Sequence, residues 1–255
     1  CDKATERDGP KMIPPPRAEL FKYTSAAAAK LILGNRSVRY AAPSTMNDPN
    51  DCQLDLDWGF TEEEVQIAAI QRFIEVVNSE VRPPFVRWTP FTLVLEMLRL
   101  SRKANPLTDE QLGKKIAPAL TEGWANMKAV QPAFNENLRT AWLSRMRLFC
   151  VSEVPDQPLM WTHYADQHKG VVLRFVFPDD VDNVLRVAQP VIYRDAPPVL
   201  ATLDEFIEIH FLGRPFSEQV IWERLFRTKS SDFSYEREWR VILPADDPND
   251  PYYFL

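Results

Sequence analysis

Apolar and polar residues alternate with two different periods along this chain. Between Thr61 and Arg145 the apolar positions recur at helical spacing, whereas the flanking segments hold short apolar or alternating runs typical of strands. LFKYTS predicts a short first strand. AAAAKLIL predicts a helix, capped by Ser25 or Thr24 and ended by Gly34. RSVRYAA returns as a strand, and TMNDPND holds residues that bond their own backbone in turns. In the helical block, Thr61 and Glu64 form a capping box ahead of Ile70, Phe73, Ile74 and Val77. Thr89 and Pro90 start a second helix with Leu93, Met97 and Leu100 on one side. Thr108 and Gln111 start a third, with Leu112, Ile116 and Leu120, and a fourth runs from about Gln131 to Arg145. Beyond it RLFCVSE reads as a strand, DQPLMWTHYADQHK as a short helix stopped by Gly170, and GVVLRFVF as a buried strand. AQPVIYR is a further strand, LDEFIEIHFL a helix, and YEREWRVIL a last strand.

These elements predict an α+β fold: a mixed or antiparallel sheet built from both ends of the chain, with a large helical insertion at 61–146. The polar stretch 1–18, with its proline triplet Pro14 to Pro16, reads as a flexible leader, and 19–255 as a single α+β domain. The apolar fraction of 45% in 255 residues supports a sizeable core and excludes general disorder. A formal charge of −6 gives no broad attraction to nucleic acid or acidic membranes, and no apolar run reaches the length of a membrane span. Cys1, Cys52 and Cys150 are too few and too scattered for a disulfide framework. With only His163, His168 and His210 beside them, they suggest no metal site either. A start at Cys1 rather than Met fits a cloning boundary, or a processed terminus.

Two stretches carry candidate chemistry. In SYEREWR, strand alternation turns Glu236 and Glu238 to one side, with Arg240 next along and Tyr235, Arg237 and Trp239 opposite. Such a pattern describes a half-buried strand with its charges toward water. It equally describes two carboxylates on a rigid element, as cleavage of a glycosidic bond requires: one stabilises positive charge on the sugar ring, the other prepares the nucleophile. In MWTHYADQHKG, Trp161, His163 and Tyr164 fall within one helical turn, either packing on the sheet or forming an aromatic wall for a planar ring. Cys150 sits in an apolar run and reads as inert core.

LFKYTSAAAAKLILGNRSVRYAAPSTMNDPND, FCVSEVPDQPLMWTHYADQHKGVVLRF and SYEREWRVI together resemble the signature blocks of a bacterial family known as domain of unknown function 2971. The order of parts also resembles, more weakly, an ADP-ribosyltransferase core. That second resemblance implies a fold of that type and a transferase that takes NAD as its substrate, with no metal. Carried over, FKYTS places Lys22 and Tyr23 at the nicotinamide end and adds Ser25 to the NAD-binding set, and FCVS places Ser152 beside the ribose. YEREW makes Glu238 the principal acid and Glu236 the acceptor-activating one. Tyr40, Trp161 and Tyr164 complete the expected NAD-binding set, although the first motif lacks the arginine or histidine of the family pattern and the second has one serine. Further implications are a macromolecular acceptor, protein or nucleic acid, an immunity protein as partner, and a cytoplasmic site of action for a toxin, delivered effector or anti-phage component. NAD glycohydrolysis and a non-enzymatic interaction module on the same scaffold are the alternatives.

Overall fold

The computed structural model describes residues 19–255 except 47, 49, 53–55, 82–86, 103, 105, 177–182, 216, 246, 248, 250, 251 and 255. The elements run in the order β1 (Glu19–Thr24), α1 (Ala26–Asn35), β2 (Arg39–Ala41), α2 (Glu62–Asn78), α3 (Pro90–Ser101), α4 (Asp109–Asn137), β3 (Met146–Ser152), α5 (Pro158–Tyr164) and β4 (Val171–Val176). They continue as β5 (Gln189–Pro190), β6 (Ile192–Arg194), α6 (Leu203–His210), α7 (Glu218–Phe226), β7 (Thr228–Ser230), β8 (Glu238–Pro244) and β9 (Tyr252–Phe254). The class is α+β, and both ends of the chain enter one antiparallel sheet.

The described residues divide into two compact units: those within 19–52, 141–197 and 226–254 make one, those within 56–140 and 198–225 the other. In the second unit the capping box at Thr61–Glu64 and the helix starts at Thr89 and Thr108 form as the sequence predicts, the latter two also as capping boxes with Thr92 and Gln111. The expected fourth helix does not start at Gln131. Instead α4 continues through Pro118 and Pro132 to Asn137, and the chain reaches β3 through a π turn and a 3-10 turn. Each interior proline costs about 3 kcal/mol. Burial of Leu112, Ile116, Leu120 and Trp124 along one face, at about 1.5–3 kcal/mol each, outweighs that cost. Aromatic edges fill this core: Phe206 lies 5.0 Å from Trp58, and Phe211 5.8 Å from Phe73.

In the sheet unit β3 is central. It pairs antiparallel with β8 along its whole length, from Met146↔Pro244 to Ser152↔Glu238. One face of this pair is the core, where Phe149, Val151, Trp239 and Val241 pack with Leu20, Val38 and Tyr40. The helix α1 outruns Gly34 and ends at Arg36, which adopts the left-handed conformation itself (φ 51°) so that Val38 and Tyr40 can enter that core. Ser25 is its cap. GVVLRFVF gives the expected strand but not a buried one: β4 ends the strand order beside β1, and its residues are half-buried or exposed. Gly170 precedes it rather than stopping α5. A Cβ there would lie 2.3 Å from the Thr24 carbonyl oxygen, so only glycine fits. AQPVIYR splits between two sheets, β5 pairing with β8 and β6 running parallel to β7. The strand expected over YEREWRVIL starts at Glu238, not Tyr235, because Ser231–Glu236 is a 3-10 turn and Arg237 is left-handed (φ 43°), and it is not the last, since β9 follows and pairs with β2.

Candidate functional site

The sheet opens on one side of β3. On the edge opposite β8, this strand meets β2 at Leu148 and β1 at Ser152, and between those points the two neighbours diverge. The Cys150 carbonyl within the gap accepts a hydrogen bond from Lys22 Nζ at 2.7 Å. A cavity of about 210 Å³ occupies the split, on the sheet face opposite the core. Its walls come from β1 (Phe21, Tyr23), β3 (Cys150, Ser152), α5 (Met160, Tyr164) and the segment carrying Met46, Asp48 and Asp51; its charged floor is Lys229, Glu236 and Glu238.

Glu236 and Glu238 reach this floor by a different route from the one strand alternation predicts. Only Glu238 is in the strand, where it shares a face with Arg240. Glu236 ends the 3-10 turn, and the left-handed Arg237 between them swings both carboxylates toward Lys229. Neither forms a row facing water: Glu236 is 2% exposed and Glu238 6%. The charged strand face is instead the centre of a buried network. Lys229 Nζ lies 2.6 Å from Glu236 Oε2, 3.1 Å from Glu238 Oε2 and 3.5 Å from Asp51 Oδ2. Arg240 donates to Glu238 at 2.7 and 3.1 Å, to both Asp51 oxygens at 2.8 and 2.6 Å, and to the Phe226 carbonyl at 2.9 Å.

This arrangement drives the two glutamates apart in acidity. Burial raises Glu236, the Glu238 charge adds to the rise, and Lys229 with the Tyr164 hydroxyl (2.7 Å) offsets only part of it. Burial would raise Glu238 too, but Arg240 and Lys229 outweigh it and hold this carboxyl well below the usual range. Burial likewise opposes charge on Lys229, yet the carboxylates of Glu238, Glu236 and Asp51 keep it protonated. Burial and the Glu236 charge push the Tyr164 phenol up. One fixed anion beside one carboxyl that can exchange a proton is the pairing that separates acid and base roles.

Of the residues singled out from sequence, Glu236, Glu238, Lys22, Tyr23, Ser152 and Tyr164 line the cavity. Ser152 Oγ donates to the Glu236 carbonyl at 2.6 Å and accepts from Val154 N, so it anchors the turn that carries Glu236. Tyr23 donates to the Val154 carbonyl and accepts from Gln157 N, tying β1 to the start of α5. Three others stand elsewhere. Ser25 caps α1, Tyr40 is in the core on the opposite face, and Trp161 packs edge-on against Tyr23 at 5.7 Å behind the wall. Sequence reasoning missed Asp51 and Lys229. Asp51 is hidden in TMNDPND, a turn by composition, and the short β7 gives no periodic signal.

Residues 160–241 match the model of a family described as a protein of unknown function (DUF2971). That span includes Tyr164, Lys229, Glu236, Glu238 and Arg240. No curated protein and no solved structure matches the chain. No helix among the described residues is long and apolar enough to cross a membrane.

Proposed function

We propose that the split-sheet cavity binds the nicotinamide riboside end of NAD, cleaves its glycosidic bond and passes ADP-ribose to a macromolecular acceptor. The single observation behind this reading is the convergence of Glu236 and Glu238 on one cavity floor with acidities driven apart. The order of FKYTS, FCVS and YEREW along the chain supports it. In the reaction the ribose C1′–N bond breaks and its electron pair leaves with nicotinamide. The oxocarbenium-like centre forms opposite the permanently ionised Glu238. The acceptor's nucleophilic atom bonds to C1′, and its proton passes to Glu236. Tyr23, Tyr164 and Met160 offer the ring a wall of apolar and aromatic surface. A toxin or effector context, with an immunity protein and a cytoplasmic site of action, belongs to the same proposal.

The test is nicotinamide release and acceptor labelling from labelled NAD in cell lysate, with wild type beside Glu238→Gln and Glu236→Gln. Transfer predicts labelled macromolecule and released nicotinamide from wild type, with both lost in E238Q. Release without labelling identifies water as the acceptor and the enzyme as an NAD glycohydrolase. Equal release by wild type and E238Q removes Glu238 from the mechanism. One observation favours a non-enzymatic interaction module instead: both Glu238 oxygens already accept from cations. Failure of NAD to bind the wild-type protein in calorimetry is the outcome that module predicts.

A further inference from the structure

Lys229 is the least expected member of the network. It comes from β7, whose partner is β6, so neither strand of the β3–β8 pair supplies it. Its side chain is 5% exposed. The ammonium has three protons, and Glu236 and Glu238 lie within hydrogen-bond distance on one side with Asp51 just beyond. The Phe233 ring lies 4.8 Å away, a cation–π contact that fixes the head group further.

Two carboxylates packed this closely in a buried site do not both ionise unless a cation stands between them. Arg240 cannot serve for the pair, because its guanidinium bonds are to Glu238, Asp51, the Cys52 sulfur and the Phe226 carbonyl, none to Glu236. Among the described residues Lys229 is the cation that bridges both glutamates. We infer that Lys229 is a positioning residue that favours joint ionisation of Glu236 and Glu238, leaving three carboxylates against two cations and so a cavity selective for a substrate whose departing ring is cationic before the bond breaks. Asp51, 3.5 Å from the same ammonium, and Arg240, bonded to Glu238, are the charged groups next to the pair. Glu236 is faced by Tyr164 from α5, Tyr193 from β6, Lys229 from β7, Glu238 from β8 and Tyr235 from its own turn.

The catalytic consequence rests on the proposed cleavage of NAD, but the charge arrangement is measurable without turnover. Glutamate carboxyl carbons are labelled with 13C, Glu236 is assigned by its absence in E236Q, and its titration midpoint is read in wild type, Lys229→Met and Lys229→Arg. K229M should raise the midpoint by at least about one pH unit, a tenfold loss of the ionised form at pH values below both midpoints. K229R restores the cation and should bring the midpoint back to within about half a unit. An unmoved midpoint in folded K229M, or an equal rise in K229R, overturns the inference. If K229M does not fold, E238Q is compared with the charge-balanced K229M/E238Q, where the same rise is expected and its absence is equally decisive. Nicotinamide release across pH separates the two claims. A shifted midpoint with no release from wild type defeats NAD cleavage and leaves the role of Lys229 standing. Release from wild type with an unmoved midpoint defeats the role of Lys229 alone.

Discussion

Replacing Arg240 by methionine should be among the most damaging single changes in the sheet unit, and the expected size follows from its contacts. The arginine is 1% exposed, and its guanidinium is bonded to two carboxylates and one backbone carbonyl. Methionine fills much of the volume but leaves Asp51 and Glu238 buried with only Lys229 to answer three negative charges. Removing one partner of a buried ion pair costs about 3–5 kcal/mol. The Phe226 carbonyl loses its donor as well, so about 4 kcal/mol is a central estimate. With a urea slope of about 2 kcal/mol/M, the unfolding midpoint should fall by about 2 M. The assay is urea unfolding at pH 7 followed by hydrogen exchange of the β3 and β8 amides, which reports this unit separately. A second variant tests the cause: R240M/E238Q should recover part of the loss, because one of the stranded charges is gone. As a contrast, Lys114→Ala removes an exposed pair with Glu110 and should leave the midpoint unchanged. A fall of less than about 0.5 M in R240M, well under the central estimate, would refute the claim that this network organises the fold.

Two further outcomes follow from the same structure. Glu238 has its folded-state pKa depressed, so its stabilisation is complete above the ordinary glutamate value of about 4.3 and drains away as pH falls toward the depressed one. Glu236 has the opposite sign: its buried charge opposes folding as pH rises through its raised pKa. Urea midpoints measured across pH should therefore show a shallower acid limb in E238Q, and a limb of unchanged slope would contradict the assignment. Gly170→Ala drives a methyl against the Thr24 and Ala165 backbone and should cost about 1–3 kcal/mol, read as a lowered melting temperature. An unchanged melting temperature would show that β1 and the α5–β4 turn are not held this closely.

What the sequence made legible were features with a short range. Helix starts are set by residues one to three apart, and the capping box at Thr61–Glu64 and the starts at Thr89 and Thr108 are present. Strand alternation correctly put Glu238 and Arg240 on one face. It failed for Glu236, because a 3-10 turn and one left-handed arginine leave no trace in the polar pattern. The helix boundary expected at Gln131 failed for a related reason: local proline chemistry says stop, and the buried stripe of α4 overrides it. Asp51 and Lys229 were hidden most completely. Their partners lie 189 residues away for the Asp51–Arg240 pair and nine away, across a turn, for Lys229–Glu238. Charge pairing at such separations exists only once the sheet has brought the segments together.

The split beside β3 has a consequence for how the cavity tolerates change. Its position is fixed where two neighbouring strands diverge from one edge, so main-chain geometry forms the opening and side chains only furnish it. Lys22 already reads one exposed carbonyl there. Substituting wall residues such as Phe21 or Met160 can therefore reshape the occupant's fit without closing the space. Under the proposed function, ligand preference is free to drift across sequences that keep the same strand pairing, while the buried ion network beneath the cavity is held by folding itself.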